Sequence, residues 1–305
     1  ESSEMDEGGI NMDLALYLGC TVPTYGYDYE LSIRKVLPKF DINLVDLPTA
    51  GCCGLPFADI DSTAWLVMSA RNIALAEEKN LDILSLCNGC YLSLEETKHF
   101  LTEDSDLKDK INQILAEEDL EFKGTSTNYL ILTVLHDIIG LEKIKQSVIK
   151  PLTGLKIATH YGCHSIRPSK LPGRPDDSET PMKMERILET LGADTMDYPE
   201  RLACCGTKEY AYDPEITLKL GYSKLKAIKE YGFDAMATIC PLCQYVYDYS
   251  QGSMEATFKT KIQVPVLYLV QWMGLTMEMD PEEDLGLEFM IHTSPIEPIL
   301  EKLQI

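Results

Sequence analysis

The sequence predicts an α/β protein built twice over, with two halves that are each a parallel sheet flanked by helices, related by a pseudo-twofold axis. The prediction rests on ten cysteines that fall into two sets of five in one repeated order. It rests also on strand-like runs that lead into the cysteines and on helical stripes that separate those runs.

The cysteines stand at 20, 52, 53, 87 and 90, and again at 163, 204, 205, 240 and 243. Each set reads as one Cys, then an adjacent pair followed by Gly, then Cys-x-x-Cys. The gaps are 31 and 33 residues in the first set and 40 and 34 in the second, so one nine-residue excess separates them. It is assigned to the Pro-rich stretch Arg167-Pro168-Ser169-Lys170-Leu171-Pro172-Gly173-Arg174-Pro175. The text around the cysteines repeats as well: Tyr17-Leu18-Gly19-Cys20 echoes Tyr161-Gly162-Cys163, and Cys52-Cys53-Gly54 matches Cys204-Cys205-Gly206. A Pro and a Gly at Lys150-Pro151-Leu152-Thr153-Gly154 interrupt the pattern, which divides the chain into 12–150 and 151–305.

In the first half the predicted strands are Leu14 to Leu18 before Cys20, Ile42 to Leu47 before the pair, and Ile83 to Leu86 before Cys87. In the second half they are Lys156 to Thr159, Asp194 to Tyr198, and Ala235 to Ile239. The clearest helix opens on Asp213 as cap with Pro214 at its first position, carries the stripe Leu218, Tyr222, Leu225 and Ile228, and ends before Gly232. Its counterpart carries Leu66, Ala70, Ile73 and Ala76. Alternating strands and helices give a parallel sheet, and in such sheets functional groups gather outside the carboxyl ends of the strands. Each half therefore delivers its five cysteines to one edge.

The chain has 305 residues, of which 45% are apolar and 25% charged, the composition of a globular protein. Its formal charge of −22 repels nucleic-acid phosphates and anionic lipid headgroups. No run approaches the roughly 18 apolar residues of a membrane span. The stretch Glu1-Ser2-Ser3-Glu4-Met5-Asp6-Glu7 is acidic where a signal peptide is basic and then apolar. These features lead to the expectation of a soluble, cytoplasmic protein whose polar residues 1–11 form a flexible end or dock against a neighbour, with no functional reading resting on them.

Clustered cysteines in such a chain point to metal or redox chemistry. A structural zinc takes four ligands, and five thiolates are one too many. An ordinary cubane iron–sulfur cluster also takes four, so a fifth suggests a cluster of altered shape. Adjacent cysteines diverge, which suits different metal atoms of one cluster, and they bridge each other only through a strained ring. Spacing favours iron–sulfur and leaves zinc open.

With these residues in view, the two copies resemble CCG domains, and about residues 12 to 300 resemble the B subunit of heterodisulfide reductase from methanogenic archaea. The resemblance implies Rossmann-like units and two noncubane [4Fe-4S] clusters. One would rest on Cys20, Cys52, Cys53, Cys87 and Cys90, the other on Cys163, Cys204, Cys205, Cys240 and Cys243. It implies as substrate the mixed disulfide of coenzyme M and coenzyme B. As partners it implies the C subunit of heterodisulfide reductase, with ordinary [4Fe-4S] clusters, and the flavin-bearing A subunit, with a hydrogenase or formate dehydrogenase in the larger complex. On this chain no Gly-x-Gly-x-x-Gly loop supports a flavin or nicotinamide site; Gly8-Gly9 lacks a preceding strand.

Cleaving a disulfide takes two electrons and leaves two thiolates, so two clusters facing each other across the duplication could each receive one sulfur. The substrate's sulfonate and phosphate call for local positive charge, and the candidates are His164, Arg167, Lys170, Arg174, Lys208 and Lys219. His164, beside a ligand at a strand end, is the candidate to give a hydrogen bond or proton to an emerging thiolate. Its competing reading is a bond to its own loop or to a cluster sulfide. Lys219 competes with the reading that Lys219, Lys224, Lys226 and Lys229 are solvated lysines of a surface helix.

His99 reads as exposed and His136 as a partner of Asp137, while His160 and His292 have no spacing partner. Trp65 and Trp272 read as core, and Asp280-Pro281-Glu282-Glu283-Asp284 as a solvated loop. Two rival classes remain: an electron-relay subunit of a succinate-, fumarate- or glycolate-type oxidoreductase, and a zinc scaffold without enzymatic activity.

Overall fold

The computed structural model describes residues 11–287 and 294–304. His292, Gly8-Gly9 and the acidic stretch Glu1 to Glu7 lie outside the described residues.

The first half forms a parallel sheet of β1 (Met12–Tyr17), β2 (Ile42–Asp46), β3 (Asp82–Ser85) and β4 (Asn128–Leu130), in the order β2-β1-β3-β4. Leu14 stands opposite Leu44 on one side and Asp82 on the other, so β1 is central. Its residues Leu14 to Tyr17 are buried irrespective of face, as expected for a strand covered on both sides. The second half repeats this with β5 (Ile157–His160), β6 (Ala235–Thr238) and β7 (Val266–Tyr268), parallel and in that order.

The predicted second strand of that half, Asp194 to Tyr198, is reduced to one parallel bridge between Lys156 and Asp194. Beyond Asp194 the chain turns inward to bury Tyr198, whose hydroxyl donates to the Thr159 carbonyl at 3.0 Å. Pro199, next in the chain, has no N–H to give a ladder.

Both long crossover helices start as the sequence dictates. The Asp61 carboxylate accepts from the Ala64 amide at 3.0 Å and opens the helix Ser62–Glu77. The Asp213 carboxylate accepts from the Glu215 and Ile216 amides and opens the helix Pro214–Glu230. Leu66, Ala70, Ile73 and Ala76 are buried, as are Leu225 and Ile228, whereas Leu218 and Tyr222 are half-buried. Lys224 departs from the solvated reading: it is 1% exposed. Its Nζ is held inside by His160 Nδ1 and the Arg201 carbonyl, both at 2.7 Å, while Gly221 on the same buried face admits Met254 and Val246 against the helix.

The halves interlock. The helix Leu269–Thr276 of the second half packs on the helix Tyr27–Val36 of the first, and the helix Leu141–Ser147 of the first packs on Lys183–Thr190 of the second. Gln271 Nε2 donates to Asp28 Oδ2 at 2.9 Å, and the Leu285 carbonyl accepts from the Ser32 hydroxyl at 3.0 Å. Lys35 pairs with Asp284 at 2.8 Å, so one end of the acidic loop is tied across the halves rather than only solvated. One hydrophobic core runs from Leu14 through Ile187 to Leu303 and belongs to both halves. Trp65 and Trp272 are buried in core clusters. His99 is exposed and His136 meets Asp137 at 2.6 Å, both as expected. Among the described residues no helix is long and apolar enough to cross a membrane.

Candidate metal centre

The cysteines leave the sheets where parallel topology sends them. Cys20 follows β1, the pair Cys52-Cys53 follows β2, and Cys87 caps the helix Asn88–Glu103 that follows β3. Cys163 and Cys240 repeat the placement after β5 and β6, whereas Cys204-Cys205 follow a loop that touches the sheet only through the Lys156–Asp194 bridge. All ten are free thiols.

Within the first set the sulfurs interact in the sequence Cys20, Cys52, Cys53, Cys90, Cys87. Within the second the sequence is Cys163, Cys204, Cys205, Cys243, Cys240. The Cys163 and Cys204 sulfurs are 3.9 Å apart, and those of Cys205 and Cys243 are 3.5 Å apart. The two sets meet where Cys87 Sγ lies 4.0 Å from Cys240 Sγ. The ten sulfurs thus form one palindromic row through the molecule. Its middle is buried, and Cys20 and Cys204 near its ends are exposed.

Two glycine pairs make room for this row. Gly19 and Gly162 precede the first cysteine of each set with φ of +63° and +73°. A Cβ on Gly19 would stand 2.7 Å from Cys90 Sγ, and one on Gly162 would stand 3.4 Å from Cys243 Sγ and 2.3 Å from Asn88 Nδ2. Gly54 and Gly206, after each adjacent pair, both have φ of +78° and donate their N–H to Cys52 Sγ at 3.4 Å and Cys204 Sγ at 3.3 Å. The sequence signal for all four was the glycine repeated beside each cysteine motif.

Thiols packed this closely cannot all ionise at once: Cys53 is drawn down to about 4 by its hydrogen bonds from Cys52 and Cys90, and Cys204 and Cys240 are drawn down likewise, at the expense of their partners. Cys90 is pushed well above the usual thiol range first by Cys53, then by Cys87 and by burial. Cys243 is pushed up first by Cys205, then by Cys240 and by burial. A metal centre removes that conflict by taking the sulfurs as thiolates and releasing protons. Among the described residues no three His, Cys, Asp or Glu side chains converge as ligands of a single ion would. Five sulfurs distributed over three loop ends exceed the four ligands of one tetrahedral zinc and fit a cluster of several metal atoms better.

His164 sits at the seam. Its Nδ1 lies 3.6 Å from where a Cβ of Gly89 would stand, between Cys87 and Cys90 of the other half. Burial holds its pKa below the ordinary histidine value, as do Lys208 and Arg174, against an upward pull from Cys240 and Cys204. The inserted Pro-rich loop crosses to the same place. The Gly173 carbonyl accepts from Tyr91 Oη, Arg174 lies 4.9 Å over the Tyr91 ring, and its Nη1 donates to the His164 carbonyl at 3.2 Å. The Arg174 Nε and Nη2 atoms are buried without a hydrogen-bond partner. Asn88, which carries no signal in the cysteine spacing, ties the seam by donating to the Tyr161 carbonyl at 2.6 Å.

The other basic candidates are more dispersed. Arg167 and Lys170 are exposed on the loop. Lys208 bridges the halves through Asp59 at 2.6 Å. Lys219 is 59% exposed and pairs with Glu215 one turn earlier at 2.8 Å. A cavity of about 580 Å³ opens elsewhere, lined by Lys35, Lys39, Gln146 and Met279 among others, and contains no cysteine.

Fold and site together define a duplicated α/β protein with one cysteine-rich centre per half, the two in contact. The family model for the cysteine-rich CCG domain matches residues 14–95 and 157–247. The B subunit of ferredoxin:CoB-CoM heterodisulfide reductase from Methanosarcina mazei is 36% identical, covering 90% of this chain and 92% of its own. A protein of Archaeoglobus profundus, described as like the B subunit of heterodisulfide reductase, is 34% identical over 94% of this chain and 97% of its own. The 8-methylmenaquinol:fumarate reductase membrane anchor subunit of Wolinella succinogenes is 36% identical over 91% of this chain and 96% of its own. In fold, the chain matches the crystal structure of a hypothetical protein from Helicobacter pylori with a TM-score of 0.75 at 16% identity, covering 93% of this chain and 52% of that one. The chain belongs to the cysteine-rich CCG-domain family, in the tandem form of the heterodisulfide reductase B subunits.

Proposed function

We propose that the chain is the catalytic iron–sulfur subunit of a heterodisulfide reductase, reducing the mixed disulfide of coenzyme M and coenzyme B to two thiols. We divide it into halves at 12–150 and 151–305, each with a noncubane [4Fe-4S] cluster on its five cysteines. The observation that carries the reading is the 4.0 Å approach of Cys87 and Cys240, which sets the two quintets side by side. Bound there, the clusters supply the two electrons and a Lewis acid for each sulfur.

The chain's own residues do the rest. His164, kept neutral by burial, carries one ring N–H that can be donated to sulfur beside the seam. The unpaired Nε and Nη2 of Arg174 suit a sulfonate or phosphate oxygen. Lys219 is a second contact for the anion, gained by exchanging its Glu215 partner. We assign electron delivery to the C and A subunits of heterodisulfide reductase with a hydrogenase or formate dehydrogenase, a reading supported by the likeness to B subunits of multi-subunit reductases.

The likeness to the Wolinella protein favours a second reading, in which the same centres relay electrons between a quinol and a fumarate reductase. Anaerobic purification, metal analysis and paired assays decide. The expected result is about eight iron atoms per chain and turnover of the mixed disulfide, with a Cys204→Ser, Cys205→Ser variant losing two-electron activity. Zinc without iron would overturn both readings. Full iron with turnover by menaquinol and fumarate but not by the disulfide would leave the relay.

A further inference from the structure

The duplication allows the two centres to be compared position by position, and behind them they differ. Asn72 and Lys224 each lie eleven residues beyond the aspartate that caps their helix, Asp61 and Asp213. Tyr17 and His160 each lie three residues before the first cysteine of their set. The correspondence is also spatial: Gly54 abuts Trp65 and Met68, and Gly206 abuts Thr217 and Leu220, at the same helix positions.

In the first half Asn72 Nδ2 donates to Tyr17 Oη at 3.1 Å and to the Cys52 carbonyl at 3.1 Å, an uncharged pair. In the second half Lys224 Nζ meets His160 Nδ1 at 2.7 Å and donates to the Arg201 carbonyl at 2.7 Å. Lys224 faces the Tyr198 and Tyr247 rings at 5.5 and 5.7 Å. His160 Nε2 and Tyr247 Oη beside it are buried without hydrogen-bond partners.

We infer that Lys224, held by His160 behind the C-terminal five-cysteine site, is a positioning residue that makes the two centres electrostatically unequal, so that an added electron is stabilised at the C-terminal site. The inference rests on the reading that both quintets hold iron–sulfur clusters. The charge has a defined setting. Burial draws the Lys224 pKa down to about 7, while the Cys243 and Cys205 sulfurs and Glu200 push it up and Arg201 pulls it down. The Arg201 charge is itself paired with Glu185 at 2.7 Å. Below the Lys224 pKa the ammonium is charged, and its field in that low-dielectric setting is weakly screened. A cluster's potential follows the net charge and hydrogen bonding around it. One electron passing from the N-terminal to the C-terminal centre oxidises the first by one and reduces the second by one, and below the pKa of Lys224 no proton moves with it.

The test is an electron-paramagnetic-resonance-monitored redox titration of the iron-loaded chain at about pH 6, where Lys224 carries its proton, with iron counted in every sample. Lys224→Met removes the charge at similar volume. The double change Lys224→Asn with His160→Tyr transplants the pair with which the first half folds. In wild type one centre is reduced at a clearly higher potential. In both variants that centre should lose at least tenfold in its reduction equilibrium, about 59 mV for one electron, while the other stays in place. Full iron with both potentials unmoved, or with only the lower one moved, overturns the inference and leaves the cluster reading standing. A chain that binds no iron overturns the cluster reading and takes the inference with it.

Discussion

Gly19 shows how one missing methyl group decides whether a centre forms. Its φ of +63° and the 2.7 Å that would separate an added Cβ from Cys90 Sγ impose separate penalties. Gly154, at φ +81° with nothing within 4 Å of such a Cβ, isolates the backbone penalty. Both Gly19→Ala and Gly154→Ala should cost about 1–3 kcal/mol of stability. Only Gly19→Ala should lower the iron content, by about half, because only there does the methyl group displace a ligand; equal iron in the two variants would refute the steric argument. His160 offers a second residue-scale outcome. Burial, and then Lys224, hold its pKa well below the ordinary histidine value. The unfolded chain therefore binds a proton near pH 6.5 that the folded chain refuses, so stability is present above that pH and is lost as pH falls below it. The metal-free chain should lose roughly 1.4 kcal/mol per pH unit through this one group. Urea midpoints between pH 5 and 7 should show a shallower fall in the His160→Tyr variant, and an identical slope would remove His160 from the account.

At the scale of elements, the sequence was legible wherever a local rule acts. Asp213 and Pro214 open their helix as caps must, and the strands before Cys20, Cys87 and Cys240 lie within a residue or two of the expected runs. The row of sulfurs was legible in outline, since repeated spacing on parallel strands sends each set to one edge. Non-local choices were not. Asp194 to Tyr198 has the composition of a strand, yet Tyr198 finds its hydroxyl partner in Thr159 and draws the chain off the sheet. Lys224 was hidden because an amphipathic stripe counts apolar positions and takes lysine as solvated. Its burial depends on His160 and the Arg201 carbonyl, 64 and 23 residues away in sequence. Aligning the two halves helix to helix would have exposed it, because Asn72 opposite Lys224 is also a polar residue on a buried face. Arg174 belongs to the same class. Its charge is legible in the sequence, but its seat against Tyr91 and His164 comes from a loop that the other half lacks.

For the whole molecule, the shared core makes the duplication a single cooperative unit. If each half were an independent domain, the seam between Cys87 and Cys240 would be a surface contact that could open without unfolding either. Instead the helix Leu269–Thr276 lies on the helix Tyr27–Val36, Gln271 reaches Asp28, and the buried cluster that includes Leu14 also includes Trp272. The helix Leu269–Thr276 thus completes the first half's core, and a separation of the centres exposes apolar surface in both. The chain's two tryptophans make this measurable, since Trp65 is buried in the first half and Trp272 in the second. In single-tryptophan variants, Trp65→Phe and Trp272→Phe, each remaining fluorophore reports one half. After correction for the stability lost in each variant, measured by far-ultraviolet circular dichroism, the two fluorescence transitions in urea should coincide with each other and with the loss of secondary structure. Transitions that separate would mean that the halves melt independently, and the contact between the two centres would then be an adjustable interface rather than a fixed property of the fold.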